Sequence, residues 1–237
     1  MTAGGGRASA TAGELQTVVA ARCLRHARSV FIGVGRPSTA AILARAVHNP
    51  DLVLVYESGT IGAKPHRVPL SIGDGELAAT ADLVVSVPEM FNYWIQPGRI
   101  QVAFLGAAQV DRHANLNSTV IGDYDKPRTR LPGAGGAPEI ATGCEEVVVI
   151  APHSPRTFVP ELDFLTTTGA RTTAVITDLC VLEPGGGELT LTATHPGVTV
   201  EQVQRATGWE LRVAGDVRVT EAPTTGELDA LRELVSR

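Results

Sequence analysis

The chain has 237 residues, a formal net charge of -5, and is 43% hydrophobic but only 4% aromatic. Acids and bases are interspersed without a basic tract, which argues against a nucleic-acid partner. No apolar run reaches the roughly 18 residues needed to span a bilayer, so no membrane partner is expected. The plentiful Ala, Val, Leu and Gly suit a sheet of β-branched strands packed by small-residue helices. Cys23, Cys144 and Cys180 are widely separated, with no CxxC or zinc-finger spacing, and read as buried thiols of a reducing cytosol.

Residues 1–13 are rich in Gly, Ala and Thr and lack the apolar stretch of a secretory signal. They read as a disordered leader to one domain over 14–237, in a cytoplasmic protein. Thr11 and Glu14 have capping-box spacing and open a helix expected over Glu14–Arg28. Ser29–Val34 is a short apolar run, expected as a buried strand broken by Gly33 and Gly35. A helix follows over Ser38–His48, then a strand over Asp51–Tyr56. This strand–turn–helix–strand order predicts parallel pairing through a right-handed crossover.

Residues 58–76 are Gly-, Pro- and polar-rich and read as a functional loop region. Further buried strands are expected at Asp82–Val87, Ile100–Leu105, Glu146–Ala151 and Thr172–Thr177. Thr199 with Gln202 and Thr224 with Glu227 cap two more helices, the last with Leu228, Leu231, Leu234 and Val235 on one face. No repeat or linker divides the chain. The economical fold is three-layer α/β/α with a mostly parallel sheet.

Three segments carry chemical interest. Tyr56-Glu57-Ser58-Gly59 places an acid at the carboxyl end of an apolar strand, where open α/β sheets bind ligands. Residues 106–124 are crowded with Asn and Asp, which hold irregular loops in one shape through local hydrogen bonds. Asp111 and Asp123 have no His at useful spacing, so no metal is expected. Gly133-Ala134-Gly135-Gly136-Ala137-Pro138 exposes successive backbone amides suited to an oxyanion. It lacks the Gly-Lys-Ser/Thr of a phosphate loop, and Gly33-Val34-Gly35 lacks the third glycine of a dinucleotide fingerprint. Lys64 and Arg67 read as surface charges, with contact to a substrate carboxylate or phosphate as the alternative. His195-Pro196-Gly197 reads as a turn.

Together, Val55-Tyr56-Glu57-Ser58-Gly59 and the stretch GAAQVDRHANLNSTVIGDYDKPRTRLPGAGGAPEIAT at 106–142 resemble the β subunit of glutaconate-type CoA-transferases, in the class I CoA-transferase family. The resemblance runs from about Glu14 to Val235. It implies a NagB/RpiA-like α/β/α fold and an active unit completed by an α subunit, as αβ or α2β2. It implies acyl-CoA and carboxylate substrates, coenzyme A entering as a thioester substrate, and no resident cofactor. Glu57 would be the nucleophile of a ping-pong reaction through a glutamyl-CoA thioester. The amides around Gly135, Gly136 and Ala137 would stabilise the oxyanion. Two rivals remain open on sequence alone: an acyl-CoA hydrolase or decarboxylase on the same fold, and a non-catalytic ligand-binding relative.

Overall fold

In the computed structural model, which describes residues 9–33 and 35–236, the expected capping box opens the first helix. The Glu14 amide donates to Thr11 Oγ1 at 3.2 Å, and the Thr11 amide donates to the Glu14 carboxylate at 2.8 Å. Helix α1 spans Ala12–Cys23, so Thr11–Gly13 are a cap and first turn, while most of the expected leader lies outside the described residues. There follow β1 (Ser29–Ile32), α2 (Arg36–Val47), β2 (Val53–Tyr56), β3 (Thr60–Ile61), α3 (Gly75–Thr80) and β4 (Leu83–Val84). Helix α4 (Val87–Glu89) runs into a π-helical segment, Met90–Ile95, and then β5 (Val102–Leu105).

Two short antiparallel ribbons, β6 (Gln109–Val110) with β7 (Leu116–Asn117) and β8 (Val120–Ile121) with β9 (Thr129–Arg130), precede α5 (Ala137–Gly143). The chain continues through β10 (Glu146–Ile150), β11 (Thr172–Ile176), β12 (Cys180–Gly185), β13 (Glu188–Thr194), α6 (Val200–Arg205), β14 (Arg212–Val219) and α7 (Thr225–Ser236).

The large sheet has the order β14-β13-β12-β11-β10-β5-β1-β2-β3-β4. Its five central strands, β11 to β2, are all parallel. Strand order reverses between β1 and β5, which puts the ligand-binding crevice of such sheets beyond the strands' carboxyl ends. The strands β1, β2, β5 and β10 are largely buried on both faces, which is why they read as continuous apolar runs. Val30, Ile32, Leu54, Tyr56, Val102 and Phe104 join the core under α1, α2 and α7. Phe31, Val55, Ala103 and Leu105 join the opposite core, with Met90, Ile95, Ile140 and Val203. The expected three-layer α/β/α architecture is present.

The structure departs from the sequence reading in four places. The first helix, expected to run to Arg28, ends at Cys23 with Leu24 as its C-cap. The expected buried strand at Asp82–Val87 shrinks to β4, a sheet edge whose Leu83 and Val84 are 45% and 55% exposed. Ser86 and Glu89 form a capping box there and turn the chain into helix. The β12–β13 hairpin and β14 have no counterpart among the expected strands. Cys144 and Cys180 are buried, but Cys23 is exposed. Among the described residues no helix is long and apolar enough to cross a membrane.

Candidate active site

Tyr56 ends β2 fully buried on the α2 side, its hydroxyl 3.0 Å from Ser38 Oγ. Burial raises the phenol's pKa to about 12. Side chains alternate along a strand, so Glu57 follows on the other side, the one covered by α5 and Met90–Ile95. The chain then reverses. The Gly59 amide donates to the Tyr56 carbonyl at 3.0 Å, and β3 returns antiparallel with Ile61 opposite Val55. Gly59 has φ +101, and a Cβ there would stand 2.0 Å from the Val85 carbonyl oxygen. Only glycine fits this turn.

The expected glycine-rich segment meets Glu57 across 79 residues of sequence. A Cβ on Gly136 would stand 2.9 Å from Glu57 Oε1, 2.5 Å from Phe91 Cζ and 2.8 Å from Phe91 Cε1. Carboxylate and ring edge thus converge on one glycine. At the far end of α5, a Cβ on Gly143 would stand 2.7 Å from the Ile95 carbonyl oxygen. Glycines at both ends of α5 let it lie close along the π-helical segment. That segment is defined by i+5 hydrogen bonds, Gln96 N–H to the Phe91 carbonyl and Arg99 N–H to the Trp94 carbonyl, both 3.0 Å. Met90 and Ile95 anchor it in the core, leaving Phe91 half-buried. Such π turns recur at functional sites.

Of the three amides expected to face an oxyanion, that of Ala137 donates to the Ala134 carbonyl at 3.0 Å and closes a turn. The Gly135 and Gly136 amides donate to no group among the described residues. Ser58 Oγ and Thr60 Oγ1, flanking the Glu57 turn, are buried and have no hydrogen-bond partner among the described residues.

The Asn/Asp-rich loop braces this arrangement as expected. Asp111 accepts from the amides of His113 and Asn115 at 2.8 and 2.9 Å, and Asp123 from those of Asp125 and Lys126 at 2.9 Å. Ser118 holds the glycine-rich segment twice: its hydroxyl donates to the Gly133 carbonyl, and its own carbonyl accepts the Gly133 amide, both at 3.0 Å. Among the described residues no three His, Cys, Asp or Glu side chains gather as metal ligands would. Lys64 pairs with Asp82, and Arg67 with Asp74 and Glu76 at 3.0 Å each, so both are engaged on the protein itself.

The histidines have partners that sequence did not reveal. His153 bonds Thr177 and Thr207 through its two ring nitrogens at 3.1 and 3.0 Å and stacks on Phe158 at 4.0 Å. His195, in the expected turn, bonds Thr220 and the Thr177 carbonyl at 2.8 Å each. Phe91 is a site residue that the motifs do not reveal. Its one sequence signal is the clustering of Phe91, Tyr93 and Trp94 in a chain with 5 Phe, 3 Tyr and 2 Trp.

Glu57 thus lies at the sheet's ligand edge next to Gly136, in a segment with two amides that have no acceptor among the described residues; carboxylates and free amides are groups that acyl transfer can use. The sequence profile of the family described as Coenzyme A transferase matches residues 14–206, and the chain belongs to that family. It is 55% identical to the B-type subunit of the 3-oxoadipate CoA-transferase of Pseudomonas knackmussii, over 94% of this chain and 93% of that protein. Its fold matches the crystal structure of glutaconate coenzyme A-transferase from Acidaminococcus fermentans with a TM-score of 0.90 at 29% identity, covering 95% of each chain. The decarboxylase AibA/AibB is also similar, with a TM-score of 0.87 and 30% identity over 95% of each chain.

Proposed function

We propose that this chain is the acyl-carrying subunit of a two-subunit acyl-CoA:carboxylate CoA-transferase, with Glu57 as the nucleophile. The observation that carries the reading is the convergence of Glu57 Oε1 on Gly136, beside amides that have no acceptor among the described residues. The Glu57 carboxylate attacks the thioester carbonyl of the donor. The C–S bond breaks, and coenzyme A leaves as thiolate from a mixed anhydride. The thiolate then attacks the Glu57 carbonyl, releasing the donor's carboxylate and leaving a glutamyl-CoA thioester. The acceptor carboxylate reverses the two steps. Gly135 and Gly136 stabilise the oxyanions, where each donor typically contributes about 2.7–4 kcal/mol, and the Ala137 amide holds the turn that aims them. Likeness to the 3-oxoadipate enzyme supports a short 3-oxo dicarboxylic acid as acceptor. That relative is one of the lettered subunits of its enzyme, which supports an α-type partner closing over Glu57.

The test is trapping. The two-subunit enzyme is incubated with succinyl-CoA without acceptor and then treated with borohydride. Peptide mass analysis is expected to find Glu57 reduced to the alcohol. Reduction at another residue, or none in an enzyme that exchanges CoA, overturns the assignment and favours the chemistry of the decarboxylase relative.

A further inference from the structure

Phe91 has a place that scaffold packing alone does not require. Its ring edge, Cζ and Cε1, and Glu57 Oε1 crowd the same side of Gly136, where a Cβ would stand 2.5, 2.8 and 2.9 Å from them. The side chain rests partly on the core and is half-buried. The backbone that carries it departs from α-helical geometry through its i+5 bonds, and both ends are pinned by fully buried side chains, Met90 and Ile95. Gly136 and Gly143 draw α5 close enough for the ring to meet the N-terminal turn of that helix.

We infer that Phe91 is a positioning and shielding residue, which holds the Glu57 carboxylate against Gly136 and keeps water from the Glu57 acyl intermediates. This rests on the transferase reading above. Both intermediates are hydrolysable. Water adding to the Glu57 carbonyl of the thioester breaks the C–S bond, regenerates the Glu57 carboxylate with release of a proton, and expels coenzyme A as the free thiol. An apolar ring beside the carbonyl leaves an approaching water no hydrogen-bond partner on that side. A larger opening there converts transfer into hydrolysis without touching the nucleophile.

The experiment uses the two-subunit enzyme with succinyl-CoA as donor and 3-oxoadipate as acceptor, and measures free thiol released per acyl group transferred. Phe91→Ala is expected to raise that ratio severalfold, as water gains access to the acyl intermediates. Phe91→Leu, which keeps an apolar wall, is expected to stay within about twofold of the parent. A ratio unchanged in Phe91→Ala, with kcat merely lowered, shows the ring to be scaffold and overturns the inference. If Phe91→Ala does not fold, Phe91→Ser in the same assay takes its place, with the same two outcomes. Borohydride trapping of Glu57 in the parent separates the two readings: trapping with an unmoved ratio sinks only the role of Phe91, whereas failed trapping sinks the transferase reading itself.

Discussion

Arg22 and Glu227, one on α1 and one on α7, are joined by two charge-assisted hydrogen bonds of 2.8 and 2.7 Å. Glu227 is 2% exposed, and His48 Nε2, just past α2, stands 3.0 Å from its Oε1. Thr224, the cap of α7, donates to the same carboxylate through its amide and hydroxyl at 2.7 and 2.9 Å. This network ties together the three helices that cover one face of the sheet. Removing one partner of a buried pair strands the other, so Arg22→Ala is expected to cost about 3 kcal/mol or more. That corresponds to a fall of about 10 °C in Tm for a chain of this size, readable by calorimetry.

The same carboxylate sets an acid limit. Burial pushes its pKa up, but the hydrogen bonds from Arg22 and Thr224 outweigh that and hold it at about 2, below its ordinary value of 4.5. A carboxyl depressed in the folded state contributes stability above its unfolded pKa and loses it as pH falls through the folded value. Stability is therefore expected to drop between pH 4.5 and 2, and Glu227→Gln is expected to flatten that limb while lowering the plateau. Denaturant titrations across the range check both.

His153 acts in the window above. Burial lowers its pKa to about 4 from 6.5, against a smaller opposing pull from Asp178. The unfolded chain takes up this proton first as pH falls, so its contribution declines from pH 6.5 to 4. His153→Gln is expected to reduce the slope of stability against pH there. A slope equal to the parent's contradicts the assignment.

Glu57 is expected to separate activity from stability. It follows β2 in the turn and belongs to neither core cluster, so Glu57→Gln is expected to melt within about 2 °C of the parent, as substitutions away from the core do. Exchange is expected to fall by about 10³-fold or more, as loss of a covalent nucleophile does.

Gly136 is the tightest point of the site. Gly136→Ala drives a methyl into Phe91 and Glu57 and is expected to lower kcat about 100-fold, the scale of an ångström's misplacement. Adding Phe91→Leu frees one of the two obstructions, so the double variant is expected to lose less than the product of the singles. Strict additivity in that double-mutant cycle argues against direct contact.

What could be read from sequence follows from burial. The strands β1, β2, β5 and β10 are largely dry on both faces and therefore stand out as apolar runs, while Thr11, Thr199 and Thr224 mark helix starts by a rule local to four residues. Glu57 and the glycines were legible as motifs. Their convergence was suggested by resemblance, since nothing local to either segment encodes contact across 79 residues. Leu83-Val84-Val85 looked like a core strand because apolar character alone does not distinguish a sheet's middle from its edge. β14 was invisible for the converse reason: its Arg, Asp and Gly residues suit an exposed outer strand. Phe91 escaped because a π turn has no i, i+4 signature.

The alternation that turns Tyr56 toward α2 and Glu57 toward α5 also makes the nucleophile's aim a matter of parity. Deleting one residue from Val53–Tyr56 while β2 keeps its pairing with β1 would move Glu57 into the place of Tyr56, seating the carboxylate among Ser38 and the α2 core and bringing Ser58 to the position opposite Gly136. An even-numbered indel keeps the outlook but moves the carboxylate along the sheet, out of line with the amides. The length of this one strand thus sets the aim of the acid as directly as the residue's identity sets its chemistry.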